Sequence, residues 1–426
     1  MAQAQLSDIL PKLHRHLMPT LLMMYVLAFL DRANVGFARA GLAADAGVGD
    51  AAFAFGASIF FIGYAVLEVP SNLILHKVGA RAWMARIMIT WGLVSAANAF
   101  VQTPAQFHIV RFLLGVAEAG FFPGVIYYLT YWYPTASRGR SVGLFYYGAP
   151  LALTFGGPLS GFLVAHDAFG LHGWQVMFLV EGLAASLGGI AVLFLLKDRP
   201  EDVTWLNAEE KAVLRTALVG DDQAREHPSV LHALRDPRVL LLALIYFLLQ
   251  MGFYGLTFYL PSQIGRLLGS SMGLEVGLVT AIPWACALVG VSMIPPWCDR
   301  RGNARGVGAI ILGLSGCSLA LSAVAGSPVL ALAALSAAAC GLIVSPALFW
   351  TLPTGLLAGA AAAGGIGLIN AIGNLGGFVA PNLRAWLDVV FGFSGAGLIG
   401  LGIVNVIGAC LYAVAPRKIT SSETSR

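Results

Sequence analysis

Long apolar segments dominate this 426-residue sequence and constrain its fold more than any other feature. A helix that crosses a bilayer needs about 20 mostly apolar residues, because hydrocarbon offers no partner for an unpaired backbone N–H or C=O group. The segments are continuously apolar rather than alternating, which favours helices over the strands of a barrel. Twelve such segments, bounded by charged residues or by clusters of Pro and Gly, lie at 17–38, 53–76, 82–101, 105–132, 141–165, 174–196, 238–262, 274–297, 306–325, 328–350, 364–386 and 393–415. The sequence therefore predicts an all-α membrane protein with twelve transmembrane helices.

Charged residues are scarce, and this scarcity argues against several classes of protein. They make up 11% of the chain, against roughly 25% in soluble proteins. The formal net charge of +4 is small, so we expect no nucleic-acid partner. The five cysteines are widely spaced, and the sequence contains no nucleotide-binding loop, His-rich motif or Ser-His-Asp constellation, which predicts no metal, no cofactor and no catalytic residue. A membrane enzyme, a receptor or an ATP-driven pump is a weaker interpretation than a secondary transporter.

The basic residues are distributed unevenly, and their distribution predicts the orientation of the chain in the membrane. Twenty of the 25 Lys and Arg residues fall in the two termini and in alternate loops, seven of them between Lys197 and Arg238. Because cytoplasmic loops carry an excess of Lys and Arg, both termini are expected in the cytoplasm. The first apolar segment contains Asp31 and Arg32 and has no small-residue cleavage site after it, so we interpret it as a span rather than a signal peptide.

The central polar loop divides the twelve predicted spans into two sets of six. We expect an N-terminal six-helix bundle over 1–196, a cytoplasmic linker over 197–237, a C-terminal bundle over 238–416 and a cytoplasmic tail over 417–426. A basic loop recurs between the second and third spans of each half, which favours a duplicated architecture. Such repeats place the substrate site near the midplane of the bilayer, between the halves.

Within the linker, Asn207 followed three residues later by Glu210 is typical of a capping box. This pattern predicts a short helix over Ala208–Ala217 that lies at the membrane surface. A mobile linker is an equally good interpretation of the same segment.

Six ionisable residues stand out well inside the predicted spans, all of them in the first half. An ionised group at the centre of a bilayer costs about 2.5–3.5 kcal/mol on insertion scales, so each one requires a function or a partner. The six residues are Asp31, Arg32, Glu68, Arg111, Glu118 and Glu181.

Arg111 and Glu118 lie seven residues apart in one predicted helix. This spacing is close to two turns, so the two side chains share a face but lie about 10 Å apart along the axis and cannot pair with each other. Gly115 lies between them and leaves room for a ligand or for another backbone. The arrangement indicates an open polar cavity beside this helix.

Asp31 and Arg32 are adjacent and point about 100° apart on their helix, so each is expected to meet a different neighbour. A guanidinium in a dry cavity matches the geometry of an organic carboxylate. A carboxylic acid that faces the same cavity is a candidate proton carrier. Arg32 and Arg111 are therefore candidate substrate ligands, and Asp31 and Glu118 are candidate proton carriers. The alternative is that these four residues form only structural ion pairs.

Other polar and aromatic residues in the spans carry a weaker signal. Glu68 lies toward the predicted cytoplasmic end of its helix, which favours a structural or gating contact over a ligand contact. Glu181 lies near the predicted outer end of its helix, where its carboxylate is expected to reach water. For each remaining candidate, a role in helix packing is as good an interpretation as a role in substrate binding. The remaining candidates are Tyr64, Tyr254, Ser345, Trp350, Asn370 and Asn374.

Several motifs, in order along nearly the whole chain, resemble those of the major facilitator superfamily. The closer resemblance is to its anion:cation symporters, in the bacterial branch of tartrate-like and phthalate-like transporters. The motifs that carry it are YVLAFLDRANVG at 25–36, GY at 63–64, EVPSN at 68–72, RFLLGVAEAGFFPG at 111–124, DRPED at 198–202, FWTLP at 349–353 and GNLGG at 373–377.

The resemblance implies two six-helix bundles that give alternating access to a central site. Arg32 and Arg111 would hold the substrate carboxylate, while Asp31 and Glu118 would carry protons. It also implies a multi-pass protein of the bacterial inner membrane, which we expect to work as a monomer in the lipid bilayer. The sequence departs from the family near the predicted outer end of the eleventh span, where Arg384 stands among expected small residues and is a candidate extra anion contact.

The combined prediction is a secondary transporter that imports a small organic acid together with protons by alternating access. The acid is expected to be tartrate-, phthalate- or aldonate-like, with Tyr64, Trp350, Asn370 and Asn374 as additional candidate contacts. An organic anion exchanger or exporter on the same fold is the alternative, because the same arginines would serve it without net proton flow. The sequence leaves open which acid is carried and how many protons accompany it.

Overall fold

The computed structural model describes residues 5–222, 236–356 and 360–415. Within these ranges the regular structure is helical: no β-strand is present, and one isolated bridge joins Ala168 to Leu171. The predicted all-α fold class is therefore confirmed for the described residues. The predicted tail over 417–426 lies outside them.

Ten α-helices precede the gap after position 222, and eight follow the gap that ends at position 236. Two 3-10 turns, Asn98–Phe100 and Pro200–Asp202, lie among the first ten. The first set is α1 (Leu6–Ala33), α2 (Val35–Ala46), α3 (Asp50–Val78), α4 (Ala80–Ala97), α5 (Pro104–Glu118), α6 (Phe121–Thr130), α7 (Thr135–Tyr146), α8 (Gly148–Val164), α9 (Gly173–Leu195) and α10 (Ala208–Asp222). The second set is α11 (Pro237–Thr257), α12 (Leu260–Leu268), α13 (Leu274–Arg301), α14 (Ala304–Val324), α15 (Pro328–Phe349), α16 (Thr351–Leu356), α17 (Ala360–Val390) and α18 (Ala396–Ala413).

The described helices overlap all twelve predicted spans, and ten helical stretches of the described residues are long and apolar enough to cross a bilayer. Of the other two, α4 carries Arg81 and Arg86, which lower its mean hydropathy, and α8 has only 17 residues. A helical multi-pass architecture follows. The count of twelve crossings and the cytoplasmic placement of both termini stay predictions.

Some predicted spans are interrupted helices rather than continuous ones. The span predicted at 17–38 is divided between α1 and α2 at Asn34, and the span at 105–132 is divided between α5 and α6. At the second break Gly120 has a φ of +85°, in the left-handed region that glycine adopts without a steric penalty. Of these two boundaries, the second places non-helical backbone beside Glu118, whereas Asn34 keeps helical angles, with φ −58° and ψ −29°.

The capping box predicted in the linker is present. Glu210 N–H donates to Asn207 Oδ1 at 2.8 Å, Asn207 N–H donates to Glu210 Oε2 at 2.9 Å, and the helix extends beyond Ala217 to Asp222. The ammonium of Lys12 in α1 donates to the Glu210 carboxylate, and this bond holds the pKa of Glu210 below its usual range. The described part of the linker is therefore packed against the cytoplasmic end predicted for α1.

The two halves meet through α8 with α13 and through α3 with α17. At Gly157 of α8 and Gly277 of α13 the backbones touch, since a Cβ atom added to Gly157 would lie 2.9 Å from the carbonyl oxygen of Gly277. Nearby, Asn382 of α17 donates a hydrogen bond to Ser58 Oγ of α3 at 2.8 Å. All four residues lie near helix ends that the charge pattern assigns to the outside. The halves are closed together at this predicted outer end.

We predict that Gly277→Val opens the predicted outer end. The added side chain would overpack the contact with Gly157, and overpacking costs about 1–3 kcal/mol. In a background without native cysteines, spin labels on Ala168→Cys and Ser271→Cys should lie farther apart in the variant, as measured by double electron–electron resonance. Gly143→Val is the matched control, because a Cβ there has no neighbour within 4 Å. An unchanged distance between the two spin labels in a well-expressed variant would show that the closed outer end accommodates a larger side chain at position 277.

Candidate functional site

A cavity of about 760 Å³, counting the part open to solvent, lies between the two halves. Its walls come from α1, α3, α6, α7 and α8 on one side and from α11, α13, α15 and α17 on the other. Among the predicted substrate-binding residues, four contribute to the wall and two, Arg111 and Trp350, do not. The four are Arg32, Tyr64, Asn370 and Asn374.

Arg32 forms the charged centre of the site and is only 9% exposed. Its Nε and Nη2 atoms both donate to Glu118 Oε1, at 2.8 and 2.5 Å. Its Nη1 atom donates to the hydroxyl of Tyr254, at 3.1 Å, from the opposite half of the protein. This guanidinium therefore links α1 to α5 within the first half, and it also links the two halves through Tyr254.

Three aromatic rings surround this guanidinium. The Arg32 Cζ atom lies 5.2, 5.3 and 5.4 Å from the ring centroids of Phe29, Phe60 and Tyr64. A weakly hydrated, planar cation is suited to such an environment, where contacts with ring faces partly replace water. The rings also exclude water from the Glu118 contact.

Arg111 is fully buried in α5 and lies outside the cavity wall. Its Nη2 atom donates a long hydrogen bond of 3.5 Å to the carbonyl of Ala57, while Nε and Nη1 have no partner among the described residues. It forms no ion pair with Glu118, as the seven-residue spacing predicts. The space at Gly115 is used by another backbone, because a Cβ there would collide with the carbonyl oxygen of Phe60 in α3. A substrate contact for Arg111 stays a prediction.

Asp31 points away from Arg32, as expected from their positions on the helix. Its carboxylate accepts a hydrogen bond from Trp91 Nε1 at 2.9 Å and one from Ser95 Oγ at 2.8 Å. Both donors lie on α4, and the residue is 1% exposed. Asp31 thus occupies a neutral polar site behind the cavity, separate from the Arg32–Glu118 pair.

Two further polar contacts involve the second half of the cavity wall, one between the halves and one within the second half. Asn370 Nδ2 of α17 donates to Glu68 Oε1 of α3 at 3.2 Å, in keeping with a structural or gating contact for Glu68. Gln250 Nε2 of α11 donates to Asn374 Oδ1 at 3.4 Å. These neutral groups give the second half hydrogen-bonding capacity without charge.

The structure contradicts one expectation about helix ends and leaves another untested. Glu181 does not reach water: it is 1% exposed and accepts hydrogen bonds from Asn34 Nδ2 at 2.8 Å and Ser160 Oγ at 2.7 Å, because α1 and α8 pack over it. Arg384 is also buried, and its Nε and Nη2 atoms have no hydrogen-bond partner among the described residues, so an anion contact for it stays a prediction. Its Nη1 atom donates to Gly255 O at 3.0 Å, and its Cζ lies 4.1 Å from the Tyr259 ring centroid.

The weaker candidates are divided between wall and packing positions. Tyr254 lines the cavity, whereas Ser345 donates to the carbonyl of Gly308 at 3.4 Å and Trp350 packs on Tyr246, with 4.9 Å between ring centroids. Sequence reasoning missed Gln250, although a lone amide in the apolar segment of α11 is a usable signal. Other missed wall residues, Tyr25, Tyr146 and Tyr246, carry no sequence signal that separates them from packing aromatics.

Comparison with known proteins assigns the chain to a family. Residues 21–381 match the Major Facilitator Superfamily. The chain is 46% identical to "Inner membrane transport protein RhmT" of Escherichia coli (strain K12), over 100% of this chain and 99% of that protein. It is 44% identical to "Quinolone resistance transporter" of Acinetobacter baumannii, over 98% and 97% of the two chains. It is 43% identical to "Putative tartrate transporter" of Agrobacterium vitis, over 99% and 94%.

The fold also matches a solved structure. The crystal structure of a D-xylose-proton symporter superposes with a TM-score of 0.71 at 16% sequence identity, covering 95% of this chain and 98% of that one. The relatives and the many apolar helices show a multi-pass transporter of a bacterial membrane. The resemblance deduced from the sequence motifs is thus confirmed, and the chain belongs to the major facilitator superfamily.

Proposed function

We propose that this transporter imports a small organic acid anion together with protons by alternating access. One observation carries the proposal: a guanidinium at the wall of a cavity between the halves is held by a single titratable carboxylate, that of Glu118. A relative named for tartrate supports a carboxylate substrate, and the fold is shared with a sugar-proton symporter. The carrier acts as a monomer in this proposal, because one chain supplies both walls of the cavity.

Protons and substrate are coupled through competition for Arg32. When Glu118 is ionised, it occupies the Nε and Nη2 donors of Arg32. A protonated Glu118 no longer offers a negative charge, so these donors become available to the carboxylate of a substrate, which the fork of the guanidinium matches in geometry. In the empty carrier Glu118 takes the place of the substrate as the counter-charge, which allows the cavity to close and reopen without an unpaired buried cation.

Arg111 and Asp31 have supporting roles in this proposal. Arg111 adds a second buried cation with unpartnered donors, which favours an anion near α5. Asp31 is a second proton carrier, held by neutral donors on α4 rather than by a cation. A carboxylate with neutral partners changes its charge without breaking an ion pair, which suits a proton carrier.

An organic anion exchanger or exporter is the second candidate, and the 44% identity to a transporter named for quinolone resistance favours it. The same arginine would hold an anion in either direction of transport. The two functions differ in whether a proton gradient drives accumulation inside. Transport assays in both directions therefore separate them.

The central experiment tests substrate class and energy source together. A panel of tartrate, phthalate, aldonate, malate and hydroxyphenylacetate is scored by thermal shift of the purified protein and then by uptake into proteoliposomes. We expect at least one acid to bind and to accumulate when the outside is more acidic than the inside, and a protonophore should abolish that accumulation. Binding limited to amines or neutral sugars would contradict the substrate class, and accumulation that survives the protonophore would contradict proton coupling.

We predict that Arg32→Lys and Arg111→Lys each weaken substrate binding while the protein stays folded. Lysine keeps the charge but loses the planar fork, and a hydrogen bond to a charged group contributes about 1.5–3 kcal/mol. Isothermal calorimetry with the acid identified above measures the loss. Arg301→Lys is the control, because Arg301 stacks on Trp297 and is absent from the cavity wall. Native affinity in Arg111→Lys would assign Arg111 a structural role.

We further predict that Glu118→Gln separates net uptake from exchange. The neutral amide cannot provide the counter-charge that Arg32 needs when the carrier is empty, so proton-driven net uptake should fail. Substrate-for-substrate counterflow never requires the empty carrier to reorient and should largely survive. Radiolabelled substrate in proteoliposomes, with and without unlabelled substrate inside and at fixed pH, distinguishes the two. Loss of both activities in a folded variant would move Glu118 into the substrate-binding or structural set.

A further inference from the structure

Glu181 of α9 is a buried carboxylate to which the proposed function assigns no role. Its two hydrogen-bond donors, Asn34 Nδ2 and Ser160 Oγ, are both neutral. No ion pair involves Glu181 within the described ranges of the chain. These two hydrogen bonds offset part of the cost of burying an ionised carboxylate, and no cation offsets the rest, so the site is suited to a carboxyl group that takes up a proton.

The groups that face Glu181 leave this conclusion intact. From α1 the facing group is the neutral amide of Asn34, and the titratable group that interacts electrostatically with Glu181 is another acid, Asp31, rather than a cation. From α4 the close neighbours are Gly92 and Ala96, which contact Gly182 beside Glu181 and carry no charge. From α8 the facing group is the hydroxyl of Ser160.

Ser160 connects Glu181 to a second cavity. This cavity of about 300 Å³, counting the part open to solvent, lies between the halves and is lined by Ser160 and Gly157 of α8 and by Thr257, Thr280 and Trp284 of the opposite half. Gly157 belongs to the contact that closes the predicted outer end. Separation of the halves at that contact would therefore bring water to Ser160.

Ser160 also has the chemistry of a relay. Its hydroxyl donates to Glu181 Oε1 in the structure, and a hydroxyl can equally accept a hydrogen bond from a protonated carboxyl group. On the far side, Asn34 lies three residues after Asp31, one helical turn along α1. The hydrogen bonds thus run from the outer cavity through Ser160 to Glu181, and Asn34 holds Glu181 beside the helix that carries Asp31.

We propose that Glu181 is a third proton-carrying residue, loaded from the predicted outer side through Ser160. A hydronium ion in the opened cavity gives a proton to Ser160 Oγ as the hydroxyl proton of Ser160 passes to Glu181 Oε1. One O–H bond breaks and one forms at the serine, water is left behind, and the carboxylate becomes a neutral carboxylic acid. The inference rests on the proposed proton coupling, but the following test needs no substrate and is therefore independent of whether an organic acid is the cargo.

Infrared difference spectroscopy of the protein in liposomes, between acidic and alkaline pH, detects the carbonyl stretch of protonated carboxylic acids. The spectrum of Glu181→Gln subtracted from that of the wild type should isolate one titrating band. Transfer into deuterated buffer then gives the rate at which that acid exchanges its proton. Ser160→Ala should slow this exchange several-fold, whereas Gly277→Val, which opens the outer contact, should speed it.

Ser186→Ala and Gly143→Val are the controls. Ser186 lies on α9 but donates to the carbonyl of Ile89, and Gly143 has no close neighbour, so neither change should alter the rate. Absence of a titrating band for Glu181 would overturn the proposal, and equal exchange rates in Ser160→Ala and the wild type would overturn the route. If Glu181→Gln fails to fold, Glu181→Asp should shift the band, and the exchange rates of the other variants test the route with Glu181 intact.

Discussion

A cation buried in a membrane protein needs a counter-charge, and Arg32 finds one on another helix. Glu118 supplies it, Tyr254 of the opposite half binds the remaining edge, and aromatic rings exclude water. Removing either member of a buried pair leaves an uncompensated charge, at a cost of about 3–5 kcal/mol. The rest of the site is arranged around this pair: the helix boundaries at Asn34 and Gly120 adjoin it, and in the proposed mechanism a substrate carboxylate in the cavity takes the place of Glu118.

Charge is divided unequally between the two halves around the cavity. The first half contributes Arg32 to the wall and keeps Asp31 and Glu118 behind it, whereas the second half contributes neutral groups such as Tyr254 and Gln250. In the proposed mechanism the first half changes its protonation while the second half only reorients. The hydrogen bonds from Arg32 to Tyr254 and from Asn370 to Glu68 join the halves, and each has one neutral partner, so breaking them costs less than breaking a buried ion pair.

Close backbone contacts determine where the two halves pack against each other. Apolar helices in a bilayer gain little from burying apolar surface against each other, so small residues that let backbones approach decide where they pack. The contact between Gly157 and Gly277 closes the predicted outer end, and Gly115 brings α5 against α3 beside the charged pair. The same closure covers Ser160 and Glu181, and in the two proposals above the position of the halves governs both the substrate route and proton access to this buried acid.

The sequence by itself determined the membrane class, the helical fold and the positions of the ionisable residues within the helices, because apolar length and helical spacing are local properties. It left the linker open between a capped helix and a mobile segment, and the structure shows the helix. The sequence also determined that Arg111 and Glu118 do not pair and that Asp31 and Arg32 diverge. Only the tertiary structure decided that Arg32 pairs with Glu118, 86 residues away, that Gly115 admits a backbone, and that Glu181 and Arg384 are buried rather than open to water. Helical periodicity fixes which residues share a face of one helix, but not which helix packs opposite that face. The partners of buried charges are therefore set by the packing of the whole bundle.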